Sequence, residues 1–248
     1  MAAASAIRKR AKKHKTRSKK PFLVAAVTFI IIAALAAAAG AYFKGRDYII
    51  YPLRYRELIE EYAAEFSLEP AHVAAVILCE SGFREKAVSV DDARGLMQII
   101  PRTGEWIAGK FGDGADFDPD DLFAPEYNIK LGCWYLSWLM DRYNGHRLSA
   151  TAAYHAGQGK VDQWLADSAL SDDGETLNMV PRTNRETAKY VARVLTAYEK
   201  YRELYDFGSG SGPAAGLRPE HEHHAASSDR YIRRRLDNAS ARADREPL

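Results

Sequence analysis

Only two cysteines occur in 248 residues, Cys79 and Cys133, too few to staple a fold with a disulfide framework. Both sit in apolar helical patterns, where a free cysteine acts as small core filler. A single Cys79–Cys133 disulfide is the other option for an exported domain. A nucleophilic Cys79 would want a nearby His and Asn arrangement, and none is evident. Internal repeats are absent. Strand-like alternation of apolar and polar residues is hard to find, which leaves a mainly α chain. Metal-ligand spacings are missing too. His221, His223 and His224 could catch a metal, but no acid or Cys ligand spacing supports a site. A solvated His-rich linker is the better reading, so no metal and no cofactor is expected.

Acidic residues are absent from positions 1–20, which hold nine of the 35 Lys and Arg side chains. The formal net charge of +2 therefore hides a basic arm and a remainder of net −7. A domain of that sign does not read as a nucleic-acid binder. Charge is lacking altogether from Pro21 to Phe43, where Thr28 is nearly the only polar side chain. As a helix this run reaches roughly 35 Å, enough for a hydrocarbon core of about 30 Å. The basic arm before it sets the N-terminus in the cytoplasm and the following domain outside the membrane. Small residues from Ala36 to Ala41 would also suit a signal peptidase, which gives cleavage and secretion as the alternative. The run is longer than the roughly 7–15 apolar residues of a signal-peptide core. An uncleaved anchor is favoured.

The rest divides by composition into residues 44–52, a spacer, residues 53–206, a helical domain, and residues 207–248, a flexible tail. Leu53 to Phe66 carries Leu58, Ile59, Tyr62 and Phe66 at helical period, and Pro70 suits the first position of a helix. Arg102 to Phe111 predicts a helix with Trp106 and Ile107 inward. Asp118-Pro119 reads as an N-cap with proline behind it. Pro125 to Tyr143 places Ile129, Cys133, Leu136, Met140 and Tyr143 on one stripe. Shorter helices are expected over Leu148–Tyr154 and Val161–Ala166, split by Gly157-Gln158-Gly159. A long one spans Asn184–Tyr205. From Gly208 a Gly/Ser linker leads into a tail poor in large apolar residues, which composition marks as disordered.

One stretch carries chemistry. The apolar helix from Ala71 to Cys79 ends on Glu80, and Ser81-Gly82 breaks it. A carboxyl at the end of such a helix is desolvated, which favours its protonated form. That is the state a general acid needs near neutral pH. An acid of this kind often works with a second carboxylate. Asp91, Asp92 and Glu186 are the candidates, and the first two sit in a loop where turn-forming Asp is common.

Three motifs give this stretch a family likeness. The first is Glu80-Ser81-Gly82-Phe83, Ala87-Val88-Ser89, Ala93-Arg94-Gly95-Leu96-Met97-Gln98-Ile99 and Pro101-Arg102-Thr103. The second is Ala152-Ala153-Tyr154-His155-Ala156-Gly157. The third is Val180-Pro181, Glu186-Thr187 and Tyr190-Val191. In order and spacing, from about Tyr55 to Tyr205, the chain resembles lytic transglycosylases of the soluble-lytic-transglycosylase type, relatives of goose-type lysozyme. The resemblance implies a lysozyme-like helical catalytic domain. It also implies one glutamate that serves twice on the bond between N-acetylmuramic acid and N-acetylglucosamine. Glu80 matches that glutamate. Ser89 matches a serine near it, and Met97 and Gln98 match groove-lining residues. Tyr154 matches a tyrosine at the reacting sugar, and Glu186 and Tyr190 match residues reaching the site from the last helix. Gly95 and Gly157 would let backbone approach a ligand closely. The sequence departs from the pattern at His155, where the family commonly has Asn, and at Val90-Asp91-Asp92, which replaces a smaller turn.

Three functions stay open at this level. A membrane-anchored lytic transglycosylase needs only Glu80 and its substrate. A hydrolytic muramidase of the same fold needs a second acid to activate water. A non-catalytic glycan-binding or scaffold module would be natural were position 80 Gln or Ala. The expected partners are peptidoglycan glycan strands, the cytoplasmic membrane and a cell-wall protein reached through the tail.

Overall fold

The structure, a computed structural model, describes residues 20–112 and 114–208. The basic arm up to residue 19 and the tail from residue 209, with His221, His223 and His224, lie outside the described residues. The chain separates into two compact units, Met1–Ile50 and Tyr51–Leu248. In the first, Lys20–Ile50 forms one helix, α1, of 31 residues. Its stretch Val27–Ile50 is long and apolar enough to cross a membrane. Phe29 is 72% exposed and Ile32 60%, so these side chains have no protein core to enter. The sequence predicts a spacer from Lys44, yet the helix runs on through Ile50. Nothing from Lys44 to Ile50 breaks the hydrogen-bond ladder, and Pro52 is the first residue that would.

The second unit is built from helices α2 (Arg56–Glu65), α3 (Pro70–Ser81), α4 (Pro101–Lys110), α5 (Pro125–Arg142), α6 (Arg147–Ala156), α7 (Gln158–Leu165) and α8 (Arg185–Leu204). Short 3₁₀ turns at Gly114–Asp116 and Pro119–Phe123 join α4 to α5. Among the described residues there is no β-strand, only isolated bridges from Arg94 to Val88 and to Ile99.

Helix α3 forms the centre. Pro70 opens it, where a missing N–H costs no hydrogen bond. Ala71, Val73, Ala74, Ala75, Val76 and Ile77 are all buried. Their small side chains let α8 and α2 lie close on either side. Helix α8 starts at Asn184, whose side chain accepts from the Thr187 N–H at 3.2 Å. Its buried stripe of Tyr190, Val191, Val194, Ala197, Tyr198 and Tyr201 covers α3.

Two expectations change. Trp106 is 41% exposed while Ile107 beside it is buried. The indole lies at the surface, against the partly buried Trp138 and the buried Trp134 of α5, 5.5 and 5.4 Å between ring centroids. Phe207, expected in the tail, packs on the domain, with the Arg56 guanidinium 5.9 Å above its ring. Both cysteines are free thiols, Cys133 buried and Cys79 partly so.

Candidate active site

Helix α3 ends at Ser81 and is capped by Gly82, whose φ of 59° is the left-handed conformation that favours glycine. Ser81 is buried, and its hydroxyl donates to the Leu96 carbonyl at 2.7 Å. This bond ties the helix end that carries Glu80 to the loop over residues 83–100.

That loop is held by backbone pairing around Arg94. Its N–H donates to Ile99 O at 3.0 Å and its carbonyl accepts from Ile99 N–H at 3.1 Å. The guanidinium pairs with Asp92 and Asp120 at 2.9 and 2.7 Å. Beneath lies Asn128 of α5, fully buried. Its Oδ1 accepts from Met97 N–H at 2.7 Å, and its Nδ2 donates to Arg94 O and Leu122 O at 2.9 and 2.8 Å. Gly95, with φ of 76°, lies so tightly against Leu122 O and the Asn128 amide that any Cβ would collide with both. Its close approach is to α5, not to a ligand.

Tyr190 of α8 reaches the end of α3 and donates a 2.6 Å hydrogen bond to Glu80 Oε1. Around the pair opens a cleft of about 450 Å³, lined by residues of α3 and α8 and by His155, among them Cys79, Glu80, Glu186, Lys189, Tyr190 and Arg193. Burial pushes the Glu80 carboxyl up to about 7. The Tyr190 hydrogen bond and the Arg193 charge oppose it without cancelling it. Burial and the Glu80 charge together raise the phenols of Tyr190 and Tyr154 well above their ordinary range, so both stay protonated donors. Burial and Arg193 press the His155 imidazole downward, toward its neutral form.

The structure thus gathers Glu80, His155, Glu186 and Tyr190 about one cleft. The His155 ring lies tilted against Tyr190, 4.5 Å between centroids, and shares a 3.1 Å hydrogen bond with Thr187 Oγ1. Tyr154 stands behind them, its hydroxyl on Met97 O at 2.8 Å. The remaining candidates fall in the loop. Ser89 Oγ accepts from the N–H groups of Asp91 and Ala93 at 3.2 and 3.0 Å and makes no bond to Glu80 among the described residues. Gln98 spends its amide nitrogen on Ala87 O and Gly95 O, at 3.2 and 3.0 Å, leaving its carbonyl oxygen as the free polar end.

Met97 is a correction. Its side chain is fully buried and presses on Gly132 of α5, where a Cβ would collide with the sulfur. It fills the core behind the cleft instead of offering a face to a sugar. The candidate second acids separate as well. Asp91 and Asp92 are exposed, Asp92 on Arg94. Glu186 lines the cleft but is exposed and paired with Lys189 at 3.2 Å. Among the described residues, no group of three or more His, Cys, Asp or Glu is arranged to hold a metal.

Two residues escape a reading of the sequence. Arg193 donates to Cys79 O at 2.8 Å, and its signal was its place three residues after Tyr190, on the same helix face. Asn128 could have been found as an amide inside the apolar pattern of α5.

A raised carboxyl at the end of a buried helix, open to a cleft in a helical domain, is the arrangement of an acid–base enzyme site. Residues 57–176, within the helical domain, match the family model described as Transglycosylase SLT domain. The match ends before α8, so Tyr190 and Arg193 lie beyond it. The chain is similar to the soluble lytic murein transglycosylase of Escherichia coli K12, 33% identical over 62% of this chain and 24% of the relative. It is also similar to the membrane-bound lytic murein transglycosylase C of Glaesserella parasuis, 28% identical over 61% of this chain and 46% of the relative. The crystal structure of the 70 kDa soluble lytic transglycosylase of Escherichia coli superposes with a TM-score of 0.55 at 31% identity, over 62% of this chain and 25% of that one. The chain spans about a quarter of the length of the soluble relative it matches.

Proposed function

We propose that the protein is a membrane-anchored lytic transglycosylase that cleaves the β-1,4 bond between N-acetylmuramic acid and N-acetylglucosamine in peptidoglycan. The observation that carries this reading is Glu80 itself. It is a carboxyl raised to about 7, bonded to Tyr190 and exposed to a cleft. Near neutral pH such a group gives and takes a proton with comparable ease.

Protonated Glu80 donates to the glycosidic oxygen as its bond to C1 of the muramic sugar breaks. The ionised carboxylate then takes the proton from the C6 hydroxyl of the same sugar, whose oxygen bonds to C1. The products are a free 4-hydroxyl on the departing sugar and a 1,6-anhydro end, and Glu80 is protonated again. No water is consumed. The nucleophile belongs to the substrate, so proximity within one ring replaces the second carboxylate of a hydrolase. Glu186 and His155 line the cleft and are the groups we assign to the sugars' hydroxyl and acetamido substituents. The Gln98 carbonyl and the Ser89 hydroxyl serve from the loop, Tyr190 from the cleft wall beside Glu80 and Tyr154 from behind it. We assign α1 to anchoring in the cytoplasmic membrane, N-terminus inside and catalytic domain outside, in keeping with its apolar span and with a relative named membrane-bound.

The test digests purified peptidoglycan with the full chain in detergent and weighs the released muropeptides by mass spectrometry. Products one water lighter than hydrolytic ones, absent with Glu80→Gln, are expected. Reducing-end products would instead make it a muramidase and point to Glu186 as the second acid. No release would make it a binding module.

A further inference from the structure

Helix α8 delivers two side chains to the last turn of α3, and only one of them touches the Glu80 carboxyl. Tyr190 donates to Oε1. Arg193, three residues on, donates through Nη2 to the carbonyl oxygen of Cys79 at 2.8 Å. That carbonyl belongs to the peptide unit joining Cys79 to Glu80, whose rigid plane contains the Glu80 Cα. It is also among the last carbonyls of α3, which lack partners within the helix and carry the negative end of its dipole.

We infer that Arg193 is a positioning residue for Glu80. It fixes the Cys79–Glu80 peptide and sets a cation at the C-terminus of α3, so that the carboxyl faces the cleft and can ionise in its second role as base. The inference rests on the reading of Glu80 as the acid and base of the reaction.

Other groups near the carboxyl do not supply this charge. The phenols of Tyr190 and Tyr154 and the thiol of Cys79 are pushed up by burial and stay neutral. His155 is pressed toward neutrality and engaged with Thr187. Lys189, also in the cleft wall, is paired with Glu186. Arg193 is the cation whose charge opposes burial at Glu80. A guanidinium suits this place because it stays charged and can hold a carbonyl while lining the cleft.

The experiment compares the full chain in detergent with Arg193→Met and Arg193→Lys. Its first readout is kcat and KM for peptidoglycan cleavage as a function of pH. Its second is the titration of the Glu80 side-chain carbon by NMR with carboxyl-labelled glutamate, assigned by its loss in Glu80→Gln. For Arg193→Met, kcat should fall roughly tenfold, the size of one charge-assisted hydrogen bond, with KM little changed. The Glu80 titration and the alkaline limb of the rate profile should both move to higher pH, and Arg193→Lys should restore both. An unmoved titration in Arg193→Met overturns the inference, as does a loss spread evenly over pH that lysine fails to rescue. If the wild-type chain makes no anhydro product, the proposed reaction fails, and the NMR titration still decides the part played by Arg193.

Discussion

Tyr190 Oη and Glu80 Oε1 stand 2.6 Å apart, across 110 positions of sequence. The phenol can only donate to an ionised carboxylate, so the contact favours the charged form. Burial favours the neutral form and wins, leaving the carboxyl at about 7. The balance between the two sets which half of an acid–base cycle is easier, and removing either partner should tip it.

Tyr190→Phe removes the donor and keeps the ring. Hydrogen bonds to charged groups are worth about 1.5–3 kcal/mol, so the Glu80 pKa should rise by roughly one to two units. The alkaline limb of the rate profile should move up by the same amount, and kcat at neutral pH should fall as the acid step, which must leave an ionised Glu80, weakens. A pH–rate profile of the variant beside the wild type checks this.

Glu80→Gln should abolish cleavage, a loss of at least about 10²–10⁴-fold, and at the same time stabilise the fold. Folded Glu80 holds its proton up to about 7, whereas an unfolded glutamate releases it near 4.5. Between these values the folded state binds more protons, so stability falls as pH rises through the window. The penalty is absent below it and complete above it, at about 3 kcal/mol. Thermal melts should show the variant more stable than wild type above neutral pH, with the gain vanishing toward pH 4.5.

His72 predicts the opposite slope. It is buried beside Thr151, 3.1 Å from its hydroxyl, and burial together with the Arg147 charge presses it down to about 3. An unfolded histidine takes its proton near 6.5, so below that value the unfolded state binds more protons and the fold loses stability. The loss is complete as pH approaches 3 and absent above 6.5. His72→Gln should be less stable than wild type at neutral pH through lost packing, and the gap should close as pH falls. Denaturant melts at stepped pH measure it.

Asn128→Ala should cost about 3 kcal/mol or more, because it strands one buried N–H and two carbonyls of the active-site loop. With the loop loosened, activity should fall along with stability. Chemical denaturation and the cleavage assay report both.

Much of this protein is legible in local pattern. The uncharged run after the basic arm predicts α1, and proline and apolar spacing predict α3 and α5 close to their limits. Glu80 stands out as an acid ending a helix with no other polar face to explain it. Met97 and Trp106 show where pattern stops. An unbranched apolar residue in a site motif looks equally suited to groove and core, and Gly132, 35 positions on, supplies the space that takes it inward. Trp106 sits at an apolar helix position, but the rings of α5 receive it on the surface. Arg193 and Asn128 act on backbone carbonyls and N–H groups far along the chain, and local spacing marks their helix positions but not those partners.

The sequence by itself determined the helical class, the long apolar N-terminal helix and the type and order of the groups that reach the cleft. These follow from periodicities of a few residues, which a chain carries wherever it folds. Only the tertiary structure decided which groups meet: Tyr190 on Glu80, Arg193 on the carbonyl before it, Asn128 under the loop and Met97 behind it. Proton affinity depends on burial and on charges a few ångströms away, and both are set by the packing of α8 on α3.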